Sequence, residues 1–244
     1  MEQAVRDTLK TFGAIDVLVN NAGHGYRGTI EESEPEAVRE LFETNFFGPM
    51  ELVRQVLPSM RARKRGMIIN VTSIGAVRGA LGNGYYSAAK GALELASEAL
   101  AKEVQHLGIR VMPVEPGAFR TGFYGQRLGE SSRKIADYDP LAGQYRKENM
   151  GNARNQRGNP EKGGKLIVET AMQETPPFRL LLGSDAVQTA KTVMEDRLRE
   201  IRAWENTSTQ SDFAEYYENE TKNKKDSGGS SLNVLMINSS PHGQ

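Results

Sequence analysis

The sequence lacks cysteine altogether and has only three histidines among its 244 residues. Without cysteine, these residues form no disulfide cross-link, no thiol nucleophile and no cysteine-ligated zinc or iron–sulfur site. This composition fits a reducing compartment. His24, His106 and His242 are too far apart along the chain to indicate a histidine-rich metal site, so we expect no bound metal.

An excess of charge of one sign and a long apolar run are also missing. Lys+Arg and Asp+Glu each number 31, so the net charge is +0. This balance argues against binding to nucleic acid or to anionic membranes through bulk charge. No apolar run approaches the ~20 residues that cross a bilayer, and the first residues lack the apolar stretch of a signal peptide. We therefore expect a soluble, cytoplasmic protein without nucleic-acid or membrane partners.

Short apolar runs alternate with amphipathic segments along most of the chain. Strands are predicted at 15–19, 67–73, 109–114 and 178–182, and helices at 2–12, 85–107, 160–173 and 184–205. A further helix is predicted from the capping box Ser33-x-x-Glu36 to about Met60, with a kink or a division at Gly48 and Pro49. This alternation predicts an α/β fold, a partial Rossmann-type doubly wound parallel sheet with helices on both faces.

Three parts of the chain differ in composition. Residues 1–205 form the expected domain, but within it 118–159 lacks a clear period and is predicted to be a long, mobile loop. Residues 206–231 are polar and are predicted to be a disordered linker. Residues 232–244 are a short, strand-like apolar tail.

The helix predicted at 85–107 places Tyr86 and Lys90 four residues apart, on one face. A tyrosine with its ordinary pKa of about 10 is a poor acid–base catalyst at neutral pH. A neighbouring ammonium moves the pKa of the phenol toward the working pH. Such pairs are common on solvated helix surfaces, so the spacing alone indicates little.

Two other polar residues have both a chemical and a structural interpretation. Ser73, at the end of a predicted strand, either hydrogen-bonds a ligand oxygen that also reaches Tyr86 or caps the loop after its strand. Asn45 is a poor helix former inside a predicted helix, and it either faces solvent or binds a water behind Lys90.

The carboxyl ends of three predicted strands carry Asn20–Gly23, Ser73 and Pro116–Gly117. In a parallel sheet these ends meet at one rim, where ligands bind. Five motifs there and nearby resemble the short-chain dehydrogenase/reductase family in order and spacing over residues 1 to about 205. They are Asn20-Asn21-Ala22-Gly23, Asn45, Ser73, Tyr86-x-x-x-Lys90 and Pro116-Gly117-x-x-x-Thr121.

The resemblance implies an oxidoreductase that transfers a hydride between NAD(P), with NADP favoured, and a small-molecule secondary alcohol or ketone. Tyr86 would be the general acid/base, and Ser73 would orient the carbonyl. Lys90 would lower the pKa of Tyr86 and bind the nicotinamide ribose, and Asn45 would hold a water linked to Lys90. Residues 118–159 would cover the substrate, and family members are commonly homodimers or homotetramers. The remaining cofactor contacts would be Asn20, Ala22 and Gly23 on the adenosine side and Pro116, Gly117 and Thr121 at the nicotinamide end.

The sequence departs from the family's pattern at its start. Family members begin with a strand and a glycine-rich turn, T-G-x-x-x-G-x-G, that binds pyrophosphate, and this sequence contains neither. Residues 15–19 are therefore expected to be an exposed sheet edge. Three explanations stay open. The chain is a fragment or mis-started form of an active reductase, or a truncated, inactive relative that serves as a binding or oligomerisation module. In the third, its tail docks beside 15–19 in place of the family's first strand.

Overall fold

A computed structural model describes residues 1–125, 127–151 and 155–213 of the protein. The strands in these residues are β1 (Val17–Asn20), β2 (Gly25–Arg27), β3 (Gly66–Val71), β4 (Ile109–Pro116), β5 (Leu128–Glu130) and β6 (Leu180–Leu182). The main sheet is parallel throughout, with the strand order β1-β3-β4-β6. The other two strands, β2 and β5, form a separate parallel pair.

Helices follow the strands as the sequence pattern predicts. They are α1 (Glu2–Phe12), α2 (Pro35–Phe42), α3 (Gly48–Arg63), α4 (Gly84–Val104), α5 (Gln144–Gly151), α6 (Pro160–Ala171) and α7 (Ser184–Thr209). The chain divides into two units, Met1–Met194 and Glu195–Gln244. The α/β fold class is confirmed.

Both faces of the main sheet are covered, because side chains alternate across each strand. Ile68 of β3 lies in one apolar cluster with Val56 and Met60 of α3. Its neighbour Ile69 lies in the opposite cluster with Ala171 of α6. Each fully buried aliphatic side chain of this kind contributes roughly 1.5–3 kcal/mol to the free energy of unfolding. The two clusters explain why the strands read as continuous apolar runs.

The start of α2 differs from the prediction. The Ser33 hydroxyl donates to the carbonyl oxygen of Thr29 at 2.6 Å. The residue before the helix is Glu34, which makes no side-chain cap. The predicted capping box is therefore wrong, because the serine bonds back to the preceding loop instead of to the helix.

Residues 118–159 are more regular than the loop that the sequence predicts. They contain β5, α5 and short helical turns, while residues 126 and 152–154 lie outside the described part. Glu32 fastens this region to the domain. One carboxylate oxygen accepts from the backbone N–H of Ile135 at 2.9 Å, and the other pairs with Arg146 at 3.3 Å. The side chains of Glu32 and Arg146 are 0% and 7% exposed, so the region is held by a buried ion pair.

The structure describes the predicted sheet edge at 15–19 and only the first part of the predicted linker. Within the described residues β1 pairs with β3 alone, and Val17 and Val19 are 47% and 50% exposed. Helix α7 runs to Thr209, into the segment predicted as a linker. The rest of 206–231 beyond 213, and all of 232–244, lie outside the described residues, so the docking of the tail beside 15–19 stays a prediction.

Candidate active site

A cavity of about 560 Å³ lies at the carboxyl ends of β3 and β4. Parallel strands bring their ends to one rim, and the loops that follow them line this cavity. The predicted residues among its lining are Gly23, Ser73, Tyr86, Lys90, Pro116, Gly117 and Thr121. Asn20, Ala22 and Asn45 are not part of the lining, whereas Asn21 is.

Ser73 and Tyr86 are brought together by the turn that follows β3. The Ser73 hydroxyl accepts the backbone N–H of Gly75 at 2.9 Å, which begins a short helical turn. The same hydroxyl lies beside Tyr86. A Cβ on Gly75 would lie 3.2 Å from Cε1 of Tyr86 and 3.3 Å from Oγ of Ser73, so glycine lets these side chains approach. Ser73 therefore caps the turn after its strand, and its hydrogen bond to a ligand oxygen stays a prediction.

The pKa of Tyr86 is set mainly by burial, which raises it to about 12. The neighbouring Ser73 hydroxyl and the positive charge of Arg27 act in the opposite direction and lower the pKa of Tyr86. The ring of Phe123 packs 5.6 Å from that of Tyr86, between centroids, and adds to the apolar surroundings. The phenol is consequently protonated at neutral pH.

Lys90 lies one helical turn beyond Tyr86 and is almost fully buried. Its Nζ donates to the carbonyl oxygen of Val71, at the end of β3, over 2.8 Å. Burial lowers the pKa of Lys90 to about 8, so the ammonium is charged at neutral pH. The charge that lowers the pKa of Tyr86 belongs to Arg27, a residue that the sequence analysis did not single out.

Asn45 lies in a π-helical turn, Glu43–Phe47, that joins α2 to α3 just before Gly48. The predicted division of this helix near Gly48 is confirmed. The Asn45 side chain is fully buried, donates to the His24 carbonyl oxygen at 2.9 Å and accepts from the His24 N–H at 3.3 Å. A Cβ on Gly23 would lie 2.7 Å from Oδ1 of Asn45 and 3.3 Å from Nζ of Lys90. Asn45 thus fixes the turn after β1 at the place where Lys90 approaches it.

Asn20 supports the rim from within the protein. Its Nδ2 donates to Oδ1 of Asn70 at 2.8 Å and to the Pro49 carbonyl oxygen at 3.3 Å. Asn70 in turn donates to the hydroxyl of Ser97 on α4 at 2.8 Å. This series of buried hydrogen bonds connects β1 and β3 to α3 and α4. It gives the buried amide nitrogens the hydrogen-bond partners that they need in the interior. Ala22 is exposed beside it.

The predicted nicotinamide end is built by the chain after β4. The Gly117 N–H donates to the carbonyl oxygen of Leu182 at 2.8 Å. A Cβ on Gly117 would lie 2.3 Å from the carboxylate of Asp185, which accepts the Ala118 N–H at 2.8 Å. The Thr121 hydroxyl accepts the N–H of Phe123 at 3.2 Å. The sequence analysis missed Asp185, whose signal was an acidic residue in the first turn of α7.

Behind this segment, two buried carboxyl groups face one another. Glu115 of β4 lies beside Glu94 of α4, and Arg179 approaches them at 3.6 Å and 2.7 Å. Burial raises the pKa of Glu115 to about 7, and the charge and hydrogen bond of Glu94 add to the rise. Glu115 therefore keeps its proton below neutral pH.

Replacing Glu115 with glutamine is expected to flatten the pH dependence of folding stability. The unfolded carboxyl has its ordinary pKa of 4.5 and the folded one about 7. The stabilisation is thus complete below pH 4.5 and is lost as the pH rises through about 7, a fall on the order of 2 kcal/mol. Urea unfolding at about pH 5 and about pH 8 measures it.

The matched control is Glu98→Gln, which removes a carboxylate of the same Arg179 cluster. Lys102 and Arg179 lower the pKa of Glu98, so this variant should keep the wild-type fall in stability. Equal pH dependence in wild type and Glu115→Gln would show that Glu115 is ionised in the folded protein.

Neither a metal centre nor a membrane span is found in the described part of the chain. Among residues 1–125, 127–151 and 155–213, no three acidic or histidine side chains are grouped so as to hold a metal ion. Their helices likewise include none with the length and apolar character that crossing a bilayer demands.

The first half of the sequence matches a known protein family. A family model described as short chain dehydrogenase matches residues 1–130, more than half of the chain. The chain belongs to the short-chain dehydrogenase family. The family expected from the five motifs is confirmed, and with it the general class of oxidoreductase.

Individual members of the short-chain dehydrogenase family agree with this assignment. The chain is 40% identical over 186 residues to 3-ketodihydrosphingosine reductase of Bacteroides thetaiotaomicron, covering 75% of this chain and 68% of that protein. It is 36% identical over 179 residues to retinol dehydrogenase 8 of Bos taurus, covering 68% and 55%. A solved short-chain dehydrogenase from Streptomyces avermitilis is 39% identical with a TM-score of 0.80, covering 86% of this chain and 76% of that one. These relatives give no support to the alternative of an inactive binding module.

Proposed function

We propose that this short-chain dehydrogenase interconverts a ketone and a secondary alcohol with NAD(P), using Tyr86 as the general acid/base. The observation that carries the proposal is that Ser73, Tyr86 and Lys90 line one cavity. The Ser73 hydroxyl lies beside Tyr86, so a substrate oxygen between them would meet both hydroxyl groups. The names of two relatives, 3-ketodihydrosphingosine reductase and retinol dehydrogenase, support chemistry between a carbonyl and an alcohol.

The donor groups of the cavity fit the nucleoside parts of a dinucleotide cofactor, whereas the family's pyrophosphate-binding turn is not in this sequence. An ammonium has three donors, and the bond of Lys90 to Val71 uses one of them. Its other donors suit ribose hydroxyl groups, and the Thr121 hydroxyl and the backbone at Pro116–Gly117 suit the nicotinamide end. Asn21 and Gly23 would meet the adenosine side, and NADP is the favoured form. When bound, the nicotinamide supplies or accepts the hydride.

The side chains then handle the proton and the position of the substrate. In reduction, Oη of Tyr86 donates its proton to the carbonyl oxygen, and in oxidation it accepts the hydroxyl proton. The raised pKa of Tyr86 keeps the phenol protonated at neutral pH, which is the form that reduction requires. Ser73 hydrogen-bonds the same oxygen and orients it. Asn45 acts indirectly, because its hydrogen bond holds the His24 backbone next to Lys90.

Two measurements on the full chain test the proposal. Titration with NADPH and with NADH, followed by cofactor fluorescence, is expected to show saturable binding that is tighter for NADPH. Loss of the absorbance of the reduced cofactor is expected with at least one member of a panel of linear, cyclic and aromatic ketones. Absence of binding by both cofactors, or of oxidation with every ketone, contradicts the proposal.

A further inference from the structure

Arg27 of β2 is a buried cation in the wall of the same cavity. Its side chain borders the space that Tyr86 also lines, and the residue is only 5% exposed. Nη1 donates to Oδ1 of Asn83 at 2.5 Å and to the carbonyl oxygen of Tyr26 at 3.3 Å. Nε is buried without a hydrogen-bond partner. The hydrogen bonds of Arg27 in the described residues thus use Nη1 and leave Nη2 without a partner.

Because Nε is enclosed by the protein, Nη2 is the nitrogen that can donate a charge-assisted hydrogen bond to a carboxylate in the cavity. Within the described residues Arg27 has no carboxylate partner, whereas the buried Arg146 pairs with Glu32. The groups that interact with the charge of Arg27 are the phenols of Tyr86, Tyr124 and Tyr145. A buried charge is costly unless an opposite charge accompanies it. Arg27 is therefore a cation that lacks its anion.

The start of α4 adds a second reason to expect an anion here. Asn83 precedes this helix and gives it no side-chain cap, since its amide oxygen accepts from Arg27 instead. The N-terminus of a helix carries a partial positive charge, which disfavours a cation and favours an anion. Burial, the missing counter-ion and the helix dipole all disfavour a charged guanidinium that is not paired with an anion. A bound anion would compensate for each of these effects.

We propose that Arg27 determines substrate specificity by binding a carboxylate of the substrate, so that the preferred substrates are oxo acids or hydroxy acids. The proposal deepens the proposed function and rests on it for the reaction itself. The substrate carboxylate accepts from Nη2 of Arg27, while the ketone oxygen of the substrate lies between Ser73 and Tyr86. Arg27 is a binding residue in this scheme and takes no part in proton transfer.

The first test needs only the wild-type full chain. A panel of oxo acids, with the carboxylate one to five carbons from the ketone, is compared with the matching methyl esters. Each ester keeps the ketone and removes the charge. For at least one spacing, kcat/KM is expected to be roughly 10- to 100-fold higher for the acid, the effect of one charge-assisted hydrogen-bonded pair. Esters that are used as well as acids at every spacing overturn the proposal.

Variants then assign the preference to Arg27. Arg27→Met removes the charge and is expected to abolish the preference, by raising KM for the acid with little change for the ester. Arg27→Lys keeps the positive charge and should retain part of the preference for the acid. The control is Arg39→Met, which removes an exposed cation outside the cavity and should keep the preference. If Arg27→Met lowers kcat/KM equally for the acid and for the ester, Arg27 has a structural role and the proposal is contradicted.

Two binding measurements separate this proposal from the other sources of an anion. Calorimetric titration of every oxo acid of the panel is expected to show binding of at least one acid by wild type and of none by Arg27→Met. This result stands even if no ketone is turned over, which would refute the proposed function alone. If Arg27→Met weakens NADPH binding and leaves oxo acid binding unchanged, the anion is a cofactor phosphate and the proposal is wrong.

Discussion

Replacing Tyr86 with phenylalanine is expected to lower kcat with a ketone substrate by about 10³-fold, because general acid–base groups contribute factors of this size. The change removes Oη alone. The ring keeps its packing against Phe123, so the fold and the cavity wall are retained. The dissociation constant for NADPH should therefore change by less than about threefold, since the ring and the cavity wall stay in place.

The neighbouring residue supplies the control for this variant. Tyr85 precedes Tyr86 at the start of α4 but does not line the cavity. Tyr85→Phe should keep kcat within about twofold of wild type, as expected for a change away from the reacting atoms. Steady-state kinetics and fluorescence titration measure both quantities. Retention of more than about a tenth of the wild-type kcat by Tyr86→Phe would remove Tyr86 from the role of general acid.

Replacing Lys90 with methionine is expected to lower kcat/KM by about 100-fold or more while stabilising the fold. Activity falls because the ammonium no longer holds the cofactor in place. Stability rises because burial lowers the pKa of Lys90 from 10.5 to about 8. The folded protein thus pays a penalty for the buried charge below pH 8, and the penalty disappears as the pH rises toward 10.5.

The size of this stabilisation follows from two opposing effects. Relief of the buried charge is partly offset by loss of the hydrogen bond to Val71, so a net gain of about 1–2 kcal/mol is expected at neutral pH. Urea unfolding at pH 7 checks it, with Lys102→Met as the control. Lys102 lies on the same helix with its side chain 71% exposed, and its replacement should change stability by less than about 0.5 kcal/mol. A less stable Lys90→Met would show that the ammonium stabilises the folded protein.

Several charged groups around α4 have properties that do not follow from their own sequence neighbourhoods. Lys90 and Glu94 are buried on this helix, and Arg27 and Glu115 approach it from two different strands. Burial is the largest cause of the shifts in the pKa of Lys90, Arg27 and Glu115. Sequence spacing placed Lys90 next to Tyr86, yet the charge that acts on the phenol comes from Arg27.

The strands, the long helices and the rim of the sheet could be predicted because their signals are local. The β3 run around Ile68 is apolar on successive residues, and α4 repeats apolar residues at helical spacing. Parallel pairing then brings Ser73 and Gly117 to one edge. The capping box at Ser33 failed although it is equally local, because a competing acceptor, the Thr29 carbonyl, lies in the preceding loop.

The sequence by itself determined the family, the alternation of strands and helices, and the order of Ser73, Tyr86 and Lys90 along the chain. Only the tertiary structure decided which polar groups are buried and what they meet. Arg27 meets Asn83 across 56 residues and Asn20 meets Asn70 across 50, so no local pattern encodes either contact. The physical reason is that burial, and with it charge and pKa, depends on neighbours contributed by distant segments of the chain.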